Sequence, residues 1–384
     1  MRQARTVLST YSADTFGVCS ALYELGGMTV MHDASGCNST YSTHDEPRWY
    51  HSDSLVFISG LTEMDAILGN DEKLKNDMLS AIRELHPAFA AITGTPIPMM
   101  TGFDYEAVAA EIEEEAGIPC FGFPTNGMRS YLCGASEALA AVAERMTNPN
   151  AKKHARTVNI LGATPLDFSL SGTVLSIRKL LSDNGWDVIG CWAMDSSLES
   201  LSRAGEAQIN LVISGAGMKT ARILQKKFGT PYVVGTPIGS SFSTKILRCL
   251  ENTSADGKNR ITFSESIAHE DSRFFIIGES IISRSLAAAI GMEYGTVPKV
   301  INPLESLSEL DGILSVTDIH AMEEEEIQKV CEKAEIVIAD PLYRAILPQS
   351  CRLVSFPHEA FSGRIFRKEI PDFTTMEIIE KVKI

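Results

Sequence analysis

The residues with the clearest chemical potential are thiols. Eight cysteines stand at 19, 37, 120, 133, 191, 249, 331 and 351. No two form a Cys-x-x-Cys pair, which argues against a zinc ribbon or a ferredoxin-type cluster held within one chain. A disulfide framework is not expected in a long chain with this spacing, and an isolated free thiol ordinarily packs as a small hydrophobe. Cys37 differs in its setting. It closes the run His32-Asp33-Ala34-Ser35-Gly36-Cys37, directly after Met28-Thr29-Val30-Met31, which reads as a strand. A thiol after glycine at the carboxyl end of a parallel strand stands where α/β sheets hold ligands. Glycine lets the backbone approach closely, and backbone N–H groups can hydrogen-bond cluster sulfides. A second glycine turn, Gly215-Ala216-Gly217-Met218-Lys219-Thr220, follows a strand and opens a helix, a position that suits phosphate. It has neither the P-loop spacing nor the third glycine of a dinucleotide fingerprint. It reads as a tight strand-to-helix turn, and this chain is not expected to hydrolyse ATP.

The elements that must position these residues alternate along the chain. Short apolar runs read as buried parallel strands: Leu55 to Ile58, Phe89 to Ile92, Val158 to Leu161, Leu211 to Ile213, Phe274 to Ile277 and Ile336 to Ala339. Amphipathic stretches lie between them. One starts at Asn70 as N-cap and sets Leu74, Met78, Ile82 and Leu85 on one face. Another starts at Asp104 and carries Val108, Ile112 and Ala116. The run Glu323 to Glu326 opens a helix, where carboxylates meet the positive dipole end. Polar, turn-forming stretches at Thr147 to Lys153 and Glu251 to Lys258 divide the chain. Three Rossmann-like α/β domains with doubly wound, mostly parallel sheets are expected, at residues 1–150, 151–258 and 259–384.

Composition sets the outer limits. The 384 residues are too many for one ordinary core, and 44% hydrophobic with 22% charged residues is ordinary for a globular protein. A net charge of −15 offers no basic surplus for nucleic acid. No apolar run approaches the ~20 residues that span a bilayer. Met1-Arg2-Gln3-Ala4-Arg5-Thr6 lacks the apolar stretch of a secretory signal, so a cytoplasmic, soluble protein with no membrane partner is expected.

Several segments together resemble one family. His32 to Cys37 is similar to the His-Gly-x-x-Gly-Cys loop of nitrogenase component 1 and its relatives, the dark-operative protochlorophyllide and chlorophyllide reductases and the nickel-sirohydrochlorin reductive cyclase. Thr62-Glu63-Met64-Asp65-Ala66-Ile67-Leu68-Gly69-Asn70 followed by Leu74 resembles its Glu-x-Asp-x-(apolar)-(apolar)-Gly-Gly stretch. Pro237-Ile238-Gly239 with Thr244, Asp340-Pro341, and Phe356-Pro357-His358 resemble landmarks of the second and third domains. The matches run in order along nearly the whole chain.

The resemblance implies a [4Fe–4S] cluster bridging two subunits, with Cys37 as one ligand. The family's first cysteine aligns with Ala13 or a neighbour, and Cys19, about a turn further on, is either its substitute or a buried helical thiol. The third falls in Ile92 to Pro96, which has no sulfur. Such a cluster ordinarily needs four protein ligands. Cys37 and Cys19 from each copy of a homodimer would supply them; alternatively a second component 1 subunit completes the set in a heterodimer or heterotetramer. Cys120-Phe121-Gly122-Phe123 resembles a segment leading to cofactor-facing residues, which makes Cys120, Asn126, Arg129 and Cys133 cavity residues by resemblance. His358 falls near a histidine that contacts the cofactor in the family, with a hydrogen-bonded loop role as its alternative. The thiolate that anchors nitrogenase's metal cofactor would fall near Ser214 and is absent, which argues against dinitrogen reduction, although the family leaves room for a further metallocofactor.

The implied function is that of a nitrogenase-like reductase subunit. A separate, homodimeric, ATP-hydrolysing iron protein donates electrons, the bridging cluster relays them, and a substrate is reduced in an interdomain cavity. A non-catalytic scaffold for metallocofactor assembly, or a small-molecule binding module without a cluster, are the rival readings.

Overall fold

The computed structural model describes residues 6–36, 38, 41, 46–313, 315–375 and 379–380. Among the described residues, fourteen strands form three sheets. The first holds β1 (Met28–His32), β2 (Leu55–Ile58), β3 (Ala90–Gly94) and β4 (Cys120–Phe123), in the order β2-β1-β3-β4. The second holds β5 (Thr157–Leu161), β6 (Asp187–Cys191), β7 (Ile209–Val212), β8 (Tyr232–Val234) and β9 (Arg260–Ile261), in the order β6-β5-β7-β8-β9. The third holds β10 (Phe274–Ile277), β11 (Lys299–Asn302), β12 (Ile319–His320), β13 (Ile336–Ala339) and β14 (Arg352–Ser355), in the order β12-β11-β10-β13-β14. Every pairing is parallel.

Parallel strands need crossover helices, and helices on both faces explain why the strands are apolar throughout rather than alternating. The sheets differ in winding. The first two change direction between their first and third strands, as flavodoxin-like sheets do, whereas the third runs third-second-first-fourth-fifth and changes direction between β10 and β13. The α/β class with three doubly wound sheets is as expected. The second sheet takes in Arg260–Ile261, just past the polar stretch ending at Lys258.

Local chemistry accounts for most helix ends. Asp104 caps Tyr105–Ala116 by accepting the Ala107 amide at 3.0 Å. Asn70 stands at the N-cap of Asp71–Leu85, but its side chain donates to Asp65 Oδ1 instead of accepting from the helix. Leu74, Met78 and Ile82 are buried as predicted, whereas Leu85 is 39% exposed, because the helix stops one residue later at His86 in the left-handed region. The helices Asp14–Leu22 and Tyr131–Arg145 cross with backbone almost touching backbone: a Cβ on Gly17 would stand 2.0 Å from the Tyr131 carbonyl oxygen, and one on Gly134 1.9 Å from that of Asp14.

Three contacts tie the sheets into one body. Buried Arg48 pairs with Glu46 at 2.7 Å and Glu24 at 2.8 Å and donates to the Ala193 carbonyl beside the second sheet. Residues 6–13 form a strap: the amides of Thr6, Val7 and Leu8 all donate to Glu324 Oε2, at 3.1, 3.0 and 2.9 Å, and Ala13 bridges to Ser130. Near the carboxyl terminus the Phe373 ring packs between Phe168 and Phe356.

Candidate functional site

The carboxyl edges of the first and third sheets meet at a cleft of about 830 Å³. Gly127 to Ser130 follow β4, Pro303 to Glu305 follow β11, and Ala360 to Ile365 follow β14; the strap supplies the remaining wall. Carboxyl edges are where open α/β sheets place ligands. Arg129 lines this cleft, but its donors are engaged. Its Nε reaches Asp14 Oδ2 at 3.0 Å and its Nη1 reaches Glu137 Oε1 at 2.9 Å. Asp14 is fully buried and also accepts the amides of Asn126 at 3.2 Å and Gly127 at 2.8 Å. Burial raises its pKa, and the neighbouring guanidinium opposes that rise. The Arg129–Asp14 pair therefore fixes the loop that floors the cleft, and Glu305 fastens it from the other side by accepting the Ser130 amide and hydroxyl.

Behind the cleft lies a narrow chamber of about 10 Å³, room for a single water, where the carboxyl ends of the second and third sheets face each other beside the strap. Asp167 follows β5, Glu279 follows β10, Asp340 follows β13 and His358 follows β14. Glu279 and Asp340 thus flank the point where the third sheet reverses. Glu279 accepts from Gly215 N at 3.1 Å, Ile281 N at 3.2 Å and Ile282 N at 2.9 Å. The glycine turn that could have cradled phosphate is therefore filled by the chain's own carboxylate. A Cβ at Gly217 would fall 2.5 Å from the Leu161 carbonyl carbon, so this glycine is there for close packing. Asp167 accepts from the Tyr131 hydroxyl, and His358 Nε2 lies 3.4 Å from Asp167 Oδ1 and 3.3 Å from Tyr131 Oη. Asp340 accepts the His358 amide at 2.9 Å and the Ser362 hydroxyl. Burial raises the pKa of Glu279, helped by the Asp167 charge, and burial likewise raises that of Asp340.

The other residues singled out in the sequence are not gathered here. Cys37 lies outside the described residues. The loop around it is braced: Asp33 accepts from Asn38 Nδ2 and Thr95 Oγ1, both at 2.9 Å, and His32 Nδ1 lies 2.9 Å from Ser59 Oγ. Burial pulls the His32 pKa down to about 4, so the ring is neutral at ordinary pH. Cys19 is fully buried among Phe16, Tyr23, Met31 and Tyr41, and burial with the nearby Glu46 pushes its thiol pKa far up. Cys120 begins β4, a strand's length from the carboxyl edge, and packs with Val108 and Ile112. Cys133 is buried in the first turn of Tyr131–Arg145, and burial pushes it to about 12. Asn126 turns its side chain back onto the Met128 amide at 2.9 Å. Arg129 and His358 border neighbouring spaces, with Tyr11 between them. Asp167, Glu279 and Tyr131 were not singled out in the sequence; the available signal was an acid one or two residues past a predicted strand, as at Glu279 after Ile277.

A model of the nitrogenase component 1 type oxidoreductases matches residues 15–276, more than half of the chain. The chain belongs to this family. Among curated proteins, this component 1 type chain is 30% identical over 179 residues to the nitrogenase iron-molybdenum cofactor biosynthesis protein NifE of Clostridium pasteurianum, covering 46% of this chain and 38% of that protein. It is 24% identical over 223 residues to the nitrogenase molybdenum-iron protein alpha chain of Methanosarcina barkeri, covering 56% and 40%. It therefore spans well under two thirds of the length of these relatives. The fold agrees with a solved structure, nitrogenase Cp1 at pH 6.5, with a TM-score of 0.70 over 100% of this chain and 93% of that one, at 16% identity. No helix among the described residues is long and apolar enough to cross a membrane.

Some relatives are named for a molybdenum- and iron-containing cofactor, so the fit of such a group can be tested on the chamber. Ser214, near which the family's anchoring thiolate would fall, is fully buried and donates to the Gly162 carbonyl at 2.7 Å. Among the described residues no three His, Cys, Asp or Glu side chains converge to hold a metal ion. With one water's room, no cysteine in its lining, and Glu279 and Asp340 turned to backbone amides, the chamber does not fit a resident metallocofactor.

Proposed function

We propose that this component 1 type chain is a subunit of a nitrogenase-like reductase, with the cleft as its substrate site. The observation that carries this reading is the cleft itself, open at the carboxyl edges of two sheets while the remaining ligand crevices are filled by Glu279 and its neighbours. Electrons would enter through an iron–sulfur cluster held at the Cys37 loop. Cys19 is poorly placed to ligate from within its apolar cluster, which favours a partner chain that contributes the other ligands. The family-based expectation of an ATP-hydrolysing iron protein as donor suits a chain whose glycine turn is occupied by its own carboxylate.

The cluster supplies low-potential electrons when bound; the chain's residues do the rest. Asp14 and Arg129 hold the floor loop, Glu305 fastens it, and the strap shields one wall. The scaffold reading, assembly of a metallocofactor for another protein, is favoured by the similarity to NifE. Anaerobic purification tests the shared premise. Wild-type protein is expected to contain oxygen-labile iron and sulfide, and Cys37→Ala to lose most of both. Full iron content in Cys37→Ala would sink the cluster assignment. Transfer of a bound metallocofactor to an acceptor protein, without turnover in the presence of iron protein and MgATP, would favour the scaffold.

A further inference from the structure

The chamber between the second and third sheets has no part in the reading above, yet it is built from costly groups. Asp167 and Glu279 are almost wholly buried, and so is Asp340. Three carboxylates this deep cannot all stay ionised without cations, because burial and mutual repulsion both disfavour the charged forms. The polar residues lining the space are Asp167, Glu279, Asp340, His358, Tyr11 and Ser283, and the Tyr131 hydroxyl donates to Asp167 from outside it. Among the described residues no arginine or lysine lines it. Three buried polar atoms of the lining have no hydrogen-bond partner among the described residues: Asp167 Oδ2, His358 Nδ1 and Ser283 Oγ. Native interiors seldom leave such atoms unmatched, and a trapped water or a proton is the usual remedy.

Tyr11 is the single described residue that lines both this chamber and the cleft. Its ring meets the His358 ring edge-on at 5.4 Å and stacks on Phe361 at 4.6 Å, and its hydroxyl lies 3.4 Å from that of Tyr343. It belongs to the strap, which packs Leu8 and Tyr11 into the core and is otherwise tied by hydrogen bonds to Glu324, Ala360 and Tyr131. We propose that the chamber is a proton store for the cleft: Asp167 and Glu279 share a proton beside one trapped water, His358 is the relay, and the Tyr11 ring is the gate. The proton enters His358 at Nε2, which faces Asp167, and leaves from Nδ1, which has no partner while Tyr11 is in place. This rests on the reductase reading only for its use. There, adding two electrons across a double bond consumes two protons; one comes from this store and one from water at the cleft mouth. The vacated carboxylate regains its proton from solvent when Tyr11 next moves aside.

The test uses the full chain alone. Infrared spectra at about pH 6 are expected to contain a protonated-carboxyl band that Glu279→Gln or Asp167→Asn removes, since a shared proton belongs to the pair. On transfer to heavy water that band should shift slowly in wild type and in Tyr11→Phe, and at least about tenfold faster in Tyr11→Ala, where the gate is gone. Absence of the band in wild type would overturn the proposal without any variant. So would a band that survives both carboxyl substitutions, or equal exchange in wild type and Tyr11→Ala. No iron protein or cluster enters this measurement, so its failure leaves the Cys37 assignment standing, and loss of that assignment leaves the store standing.

Discussion

Glu279 is where the crevices of the second and third sheets close on each other, and its energetics follow from that position. Both of its oxygens accept backbone amides, which favours the anion, but burial and the Asp167 charge outweigh them and raise its pKa. The folded state therefore holds a proton that the unfolded chain releases at an ordinary glutamate pKa near ~4.3. More protons bound in the folded state means that stability falls as pH rises through that window. Wild-type unfolding free energy is expected to decline from about pH 4.5 toward neutrality, with Glu279 contributing on the order of 1 kcal/mol per pH unit at most. Glu279→Gln should flatten that part of the slope while lowering stability overall, because its amide cannot accept on both sides. Denaturant midpoints at several pH values measure it; an unchanged slope would show that Glu279 does not titrate there. Little of this was legible beforehand. Gly215 and Gly217 could be read as a tight turn from spacing alone, but the carboxylate that fills the turn lies 64 positions away, and no local pattern carries a contact of that range.

Among the elements, the strap shows the same division between local and distant information. The acidic run was readable as a helix opening, and Glu323 does form a capping box at the start of Glu324–Val330. Glu324 has a second task. It is mostly buried and gathers three amides from the strap, at a sequence separation of more than 300 residues. A buried carboxylate that satisfies several N–H groups is costly to remove, at about 1–3 kcal/mol for the donors it leaves unpaired. Glu324→Ala is expected to speed hydrogen exchange at Thr6, Val7 and Leu8 and to expose the strap to limited proteolysis, with the three sheets still folded. If those amides exchange as slowly as in wild type, the latch lies elsewhere. The strands themselves were legible because apolar runs bounded by turn residues have few other uses. Sheet order was not, since the choice between the two windings depends on which strand edges the crossover helices leave open.

For the whole molecule, the most revealing region is the one least explained by its own packing. Helix Glu63–Leu68 has no buried residue; its capping box at Thr62 and the Lys73–Asp65 pair hold it in place. It exposes Met64, Ile67 and Leu68, and the neighbouring helix Pro96–Thr101 exposes Ile97, Met99 and Met100. Both helices follow strands that flank β1, so this apolar face lies at the same sheet edge as residues 33–36, which follow β1. Single exposed apolar residues are ordinary, but a cluster of six on adjoining helices is the composition of an interface. On the proposed function this is where a second component 1 chain would meet this one, bringing the ligands that Cys37 lacks. Leu68 and Met100 are 71% and 80% exposed, so Leu68→Asp with Met100→Asp removes little packing from the isolated chain. The unfolding midpoint should then stay within about 0.5 kcal/mol of wild type. Burying two carboxylates in an apolar contact costs several kcal/mol, so assembly should weaken by more than about a hundredfold. Sedimentation velocity of the anaerobic protein with its partner chain would measure the loss, and iron content should fall with it, because a bridging cluster cannot outlast the contact that completes it. Iron retained in full by a chain that no longer assembles would place all of the ligands within this one subunit.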